Sequence, residues 1–158
     1  MNITVISVGK IKEKYFTAAI DEYSKRLSRF AKLNIIEVAD EKIPDNASEK
    51  EMEQIKEKEG NKILAKLPQN SFVVTLCIEG KEHSSEELAK KIADISMTSS
   101  HITFIIGGSL GLSDTVKSKS ALRLSFGKMT LPYQLMRVVL LEQIYRAFKI
   151  NNNESYHK

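Results

Sequence analysis

The sequence lacks the features of a secreted or membrane-spanning chain. It has one cysteine, Cys77, in 158 residues, which rules out an internal disulfide. Cys77 lies in the apolar run FVVTLCI with no Cys or His partner at metal-ligand spacing, and reads as a buried core thiol. The three histidines, His83, His101 and His157, stand far apart, so no metal constellation is expected. No apolar run reaches the roughly 18 residues a membrane-spanning helix needs. The N-terminus, MNITVISVGKIKEKYF, places its apolar run before its lysines, the reverse of a signal peptide. It reads as a first strand of a cytoplasmic protein. There is no internal repeat and no interdomain linker. Neither G-x-G-x-x-G nor G-x-x-x-x-G-K-[ST] occurs, and no serine stands in G-x-S-x-G. Dinucleotide binding and serine-hydrolase chemistry are set aside on that basis.

What is present suits one domain over residues 1–158, with 42% apolar residues available for a single core. The net charge of +4 is uneven. Residues 1–111 hold 16 Lys+Arg against 17 Asp+Glu, and residues 112–158 hold 8 against 3. A second basic segment, residues 9–32, carries Lys10, Lys12, Lys14, Lys25, Arg26, Arg29 and Lys32 against Glu13, Asp21 and Glu22. If folding joins the two segments they form a phosphate-attracting face.

Strand and helix patterns alternate along the chain. ITVISVG (3–9) and LNIIEVA (33–39) read as strands, separated by a helix over 13–31 with one apolar face. Ser48 and Glu51 form a capping-box pattern for a charged helix running to about Leu67, expected to be mostly solvated. SFVVTLCI (71–78) and HITFIIG (101–107) have the all-apolar character of strands covered on both faces. EGK reads as a turn, and Ser84 or Ser85 caps a helix over 86–97. A short helical segment near 113–119 and a fifth strand over 121–126 follow. After Pro132 comes the longest helix, 133–150, then a polar tail. The expected fold is a single-domain α/β/α sandwich with a mostly parallel sheet, and ligands bind such sheets at strand carboxyl ends. Three such ends are candidates: Leu76–Glu79, Gly107–Gly111 and Phe126–Leu131. The glycine-rich FIIGGSLG (104–111) is either a tight turn or a loop that lets a ligand lie against bare backbone.

The order VISVGKIKEKY, VTLCIEGK, FIIGGSLG, LSFGKMTLPYQLMRVVLLEQIYRAFKI and a terminal YHK resembles the ribosomal large subunit RNA methyltransferase H family, a small member of the SPOUT α/β-knot class. The resemblance covers essentially the whole chain and is most specific from Leu124 to Ile150. It implies a C-terminal trefoil knot, a homodimer, and S-adenosylmethionine as cofactor. It further implies methylation of nitrogen 3 of a pseudouridine in 23S rRNA, the family target being position 1915. By matching motifs, the implied cofactor contacts are Leu76, Gly107, Phe126, Gly127, Lys128, Met129, Thr130 and Leu131. On the substrate side it points to Tyr156 and His157. His157 is the best candidate base on intrinsic pKa, unless it belongs to a frayed tail. Tyr156 would stack on or orient the uracil ring. Arg137 either holds an RNA phosphate or is a surface charge. Leu135, Val138, Val139, Leu141 and Ile144 cover more than one helix face, which suits a dimer interface. The sequence departs from the family pattern in three places. Leu110 replaces an acidic residue, Tyr133 follows Pro132 in place of His, and the tail lacks its Gly and Pro. The alternative reading is an RNA-binding or ribosome-associated protein that kept the fold and lost the chemistry.

Overall fold

The computed structural model describes all of residues 1–158. Five strands form one all-parallel sheet in the order β2-β1-β4-β3-β5. They are β1 (Asn2–Val8), β2 (Lys32–Val38), β3 (Phe72–Glu82), β4 (His101–Ile106) and β5 (Leu122–Ser125). The helices are α1 (Lys14–Leu27), α2 (Glu49–Ala65), α3 (Ser85–Ser96), α4 (Asp114–Lys117) and α5 (Tyr133–Asn151).

The period-two geometry of a strand divides its side chains between two cores. Ile3 and Val5 of β1, Val74 of β3, and Ile102, Phe104 and Ile106 of β4 pack with Leu27 of α1, Ile92 of α3 and Ile144 of α5. Ile6 and Val8 of β1, Val73 of β3 and Ile105 of β4 face the other way, onto Ile63 of α2 and Val116 of α4. The result is the expected three-layer sandwich.

The expected capping box at Ser48 forms, and of the two candidate caps Ser84 and Ser85 it is Ser84 that caps α3, in a second box. The Ser48 hydroxyl accepts from the Glu51 N–H and the Ser84 hydroxyl from the Glu87 N–H, each with the reciprocal carboxylate bond. Three expectations need correction or refinement. The EGK segment is not a turn: β3 continues through it to Glu82. To do so it breaks register, Leu124 of β5 pairing with both Leu76 and Lys81. The second half of β3 is therefore largely exposed, because the extra residues swing off the sheet. The charged helix α2 is largely solvated as expected, with Ile55 and Ile63 on its thin buried side, but one member of its charged run is not a surface group: Glu59 is buried, and its Oε2 accepts from the Glu41 N–H at 2.9 Å. Finally, the C-terminal tail is docked rather than frayed, through contacts described below.

Candidate active site

The carboxyl ends of β3, β4 and β5 enclose a cavity of about 790 Å³, within the usual range for small-molecule sites. β3 contributes Leu76 to Glu79, the loop after β4 contributes Gly107 to Leu112, and the loop after β5 runs along it to Pro132. Tyr133 and Met136, on the first turn of α5, close one side. Leu76, Gly107, Phe126, Gly127, Met129, Thr130 and Leu131 all line this space, whereas Lys128 stands outside it, exposed. Cys77 is corrected from core thiol to cavity wall: it is half-buried and lines the cavity. Burial pushes its pKa up, which leaves the thiol protonated and unreactive at neutral pH.

The glycine loop turns on itself. The Gly111 N–H donates to the Gly108 carbonyl at 3.0 Å, and Gly111 takes a φ of +83°. A Cβ on Gly107 would lie 2.7 Å from the Gly111 carbonyl carbon. Glycine at 107 is thus required by the loop's own closure, and the space it was expected to leave for a ligand is filled by the loop's own backbone. The segment is a tight turn, and it presents bare backbone to the cavity.

The loop after β5 is pinned by one hydroxyl. Ser125 Oγ accepts from the Gly127 N–H at 3.1 Å and donates to the Ile78 carbonyl at 2.9 Å. That joins the ends of β3 and β5. Beyond it the rim is apolar and open, with Met129 85% and Ile78 52% exposed. Two of the charged residues on the cavity wall, Glu79 and Lys117, pair at 2.5 Å. The Lys117 hydrogen bond holds the Glu79 carboxyl below its ordinary pKa. Sequence reasoning did not single out Lys117, whose only signal was one lysine on a short helix.

Arg137 is neither a surface charge nor open to a phosphate. It is 2% exposed. Its guanidinium donates to Glu37 Oε2 and to the Val8 and Gly9 carbonyls, each at 2.7 Å. Burial pulls its pKa down against the pull of Glu37, and an arginine stays charged regardless. The Tyr133 ring lies against Gly9 and in cation–π range of Arg137, 5.7 Å away. Arg137 therefore ties α5, and with it one cavity wall, to the end of β1. Arg137→Met removes the buried partner of an ion pair whose carboxylate, Glu37, is 36% exposed, and strands two carbonyls. We expect a stability loss of about 1–3 kcal/mol for each stranded carbonyl, read as a lower urea midpoint; an unchanged midpoint would show the tie to be dispensable.

Tyr156 and His157 do not reach the cavity of their own chain. They fold back along α5. The Tyr156 hydroxyl donates to Glu142 Oε1 at 3.0 Å, and its ring meets Tyr145 edge-on at 5.0 Å. Glu142 lies nine residues after Tyr133, about 14 Å along the helix. His157 Nδ1 is 3.2 Å from Arg146 Nη1, and its Nε2 is 2.7 Å from Glu86 Oε1. Arginine only donates, so Nδ1 accepts and Nε2–H donates to the carboxylate. Glu142 also pairs with Arg146 at 2.6 Å. Sequence reasoning missed Glu142, Arg146 and Glu86; the signal it had was the Glu-x-x-x-Arg spacing on α5. Burial first, then the Glu142 hydrogen bond, pushes the Tyr156 phenol from 10 up to about 12. Because the folded pKa is the raised one, this contribution to docking is complete below pH 10 and lost as pH rises towards 12. In an absorbance titration at 295 nm, one of the five tyrosines should ionise last, near pH 12, and Tyr156→Phe should delete that component. Absence of that late component would show that the tail is not docked.

A family model described as "Predicted SPOUT methyltransferase" matches residues 1–157. The chain is 60% identical to the ribosomal RNA large subunit methyltransferase H of Clostridioides difficile, over the full length of both proteins. It is 62% identical, again over both full lengths, to the protein of the same name from Clostridium novyi. Among solved structures, it resembles the tRNA (m1G37) methyltransferase of Aquifex aeolicus at a TM-score of 0.53 and 13% identity, over 92% of this chain and 70% of that one. It also resembles a Legionella pneumophila protein described as a methyltransferase and solved with the cofactor SAM bound. There the TM-score is 0.52 and the identity 15%, over 94% of this chain and 66% of that one. At such low identity these two likenesses speak to the fold.

Proposed function

The chain belongs to the SPOUT methyltransferase family, and from that membership we propose that it methylates nitrogen 3 of a pseudouridine in 23S rRNA, at position 1915. The coarser activity, S-adenosylmethionine-dependent methylation of large-subunit rRNA, rests on the family and on the full-length relatives. The observation that carries the reading is the convergence of three strand ends on one cavity at the residues the family motif singles out.

The residues present suit S-adenosylmethionine. Leu76, Leu131 and Met136 offer apolar faces for a flat ring, and the glycine loop offers backbone polar groups. When bound, the cofactor supplies an electrophilic methyl group on a sulfonium. The protein's part is to align that methyl with the nucleophile, which contributes about 7–11 kcal/mol to lowering the barrier. The pseudouridine nitrogen must also lose its proton. In this reading His157 takes it through Nδ1 once Arg146 releases that atom, and Tyr156 orients the ring.

Since neither side chain lines its own cavity, the reading requires a homodimer in which the tail completes the partner's site. Of the five apolar residues expected at an interface, Leu141 and Ile144 are buried in the chain's own core, while Leu135, Val138 and Val139 support this, being only half-buried in a single chain. The segment from β5 into α5 is proposed to be threaded as a trefoil knot, and the protein to act in the cytoplasm. The test uses S-adenosylmethionine carrying a labelled methyl and isolated ribosomes. Label should enter 23S rRNA at one pseudouridine, and vanish when that nucleotide is plain uridine. Label elsewhere, or none, rejects the assignment.

A further inference from the structure

Packing α1 against α5 does bring the two basic segments together, but most cations at that junction are neutralised locally. Arg26 pairs with Glu22, Arg29 and Lys149 with Glu154, and Arg146 with Glu142. The β1–α1 loop differs. Lys10, Lys12 and Lys14 are all exposed and none forms an ion pair. Glu13, between them, has a buried Oε2 without a partner and neutralises none of the three. Tyr15 follows directly, 68% exposed.

This loop is held at the cavity's edge. Its first residue, Gly9, lies against the Tyr133 ring, which itself lines the cavity. The Gly9 carbonyl accepts from Arg137, and the Ile11 N–H donates at 3.0 Å to Glu37, the carboxylate that also holds Arg137. The backbone is fixed at both points while the lysine heads stay in solvent. Alternate exposed lysines suit successive phosphates, and an exposed aromatic among them suits an unstacked base.

We propose that Lys10, Lys12, Lys14 and Tyr15 form the surface that grips the RNA backbone and one unpaired base beside the cavity. The proposal rests on the RNA-methylating activity argued above and names the face through which it engages its substrate.

The experiment measures co-sedimentation of the protein with isolated large ribosomal subunits against KCl concentration, alongside methyl-transfer kinetics. Lys10, Lys12 and Lys14 all replaced by Gln should raise Kd and KM for the subunit at least about tenfold. The slope of log affinity against log salt should flatten by about 2–3. The value of kcat at saturating subunits and the Kd for S-adenosylmethionine should stay within about twofold. Tyr15→Ala should weaken binding while leaving the salt slope unchanged, since stacking is not ionic. A matched control replaces Lys50, Lys58 and Lys66, exposed unpaired lysines on and just after α2. Equal weakening in this control would reduce the effect to net charge and overturn the proposal, as would unchanged affinity in the loop variant. Loop-dependent binding without methylation would uphold this surface while rejecting the proposed reaction. Methylation that is indifferent to the loop would do the opposite.

Discussion

Deleting Ser155–Lys158 should lower methyl transfer by about 10²–10⁴-fold, the range that removing a positioned general base produces, while S-adenosylmethionine binds within a few-fold of the intact protein. The split follows from geometry. No tail residue lines the cavity of its own chain, and in the proposed dimer the tail's place in the partner's site is at the substrate, so cofactor affinity has little reason to change. Some stability is lost, because the tail is docked: the Tyr156–Tyr145 edge contact contributes about 0.5–1.5 kcal/mol. Calorimetric titration and thermal melting would separate these effects from catalysis. In a dimer with shared sites, mixing this truncation with a cofactor-weakened variant should restore part of the activity, since one of the two sites then has both halves. Full activity of the truncated protein on ribosomes would remove Tyr156 and His157 from the mechanism.

Gly107→Ala supplies the cofactor-weakened partner, used below its own saturating cofactor concentration. The added Cβ would meet backbone atoms of Gly111 at 2.7 and 2.9 Å, and no rotamer change moves a Cβ. The loop must open instead, displacing the backbone that lines the cavity. We expect S-adenosylmethionine affinity to fall by about 10–100-fold, or about 1.4–2.7 kcal/mol, with an overpacking loss of about 1–3 kcal/mol in stability. Gly111→Ala is the informative comparison. Nothing lies within 4 Å of a Cβ there, but φ is +83°, so its effect comes from backbone strain rather than collision. Unchanged cofactor affinity in Gly107→Ala would mean that the loop shape and the ligand are independent.

The sheet and its three converging ends were legible because they depend on local composition and order. ITVISVG is β-rich, HITFIIG is apolar throughout as a strand covered on both faces must be, and the Ser48–Glu51 box fixes where α2 begins. What escaped the sequence depends on contacts distant in the chain. Arg137 reads as one more cation on a helix, and only the fold brings Glu37, 100 residues away, to its guanidinium. Glu59 reads as part of a charged run until a loop carrying Glu41 covers it. Glu, Gly and Lys at 79–81 have turn composition, yet cross-strand pairing with β5 overrides that local preference. Whether the tail frays or docks stays open in the sequence because its partners, Glu142, Arg146 and Glu86, offer no pattern until three segments meet.

The register break in β3 also governs how the site can change over time. Strand pairing with β5 stops after Leu76 and resumes at Lys81, so the residues between are held to β5 by the Ser125 hydroxyl on the Ile78 carbonyl rather than by the ladder. Gly80 marks the return, where a Cβ would lie 2.7 Å from the Arg123 carbonyl oxygen. A residue gained or lost within Cys77–Glu79 would reshape the cavity wall and leave every other strand in frame, whereas a one-residue slip anywhere else in the sheet would turn core side chains outward. Divergence in ligand preference can therefore accumulate at this one point of slack without passing through unfolded ancestors.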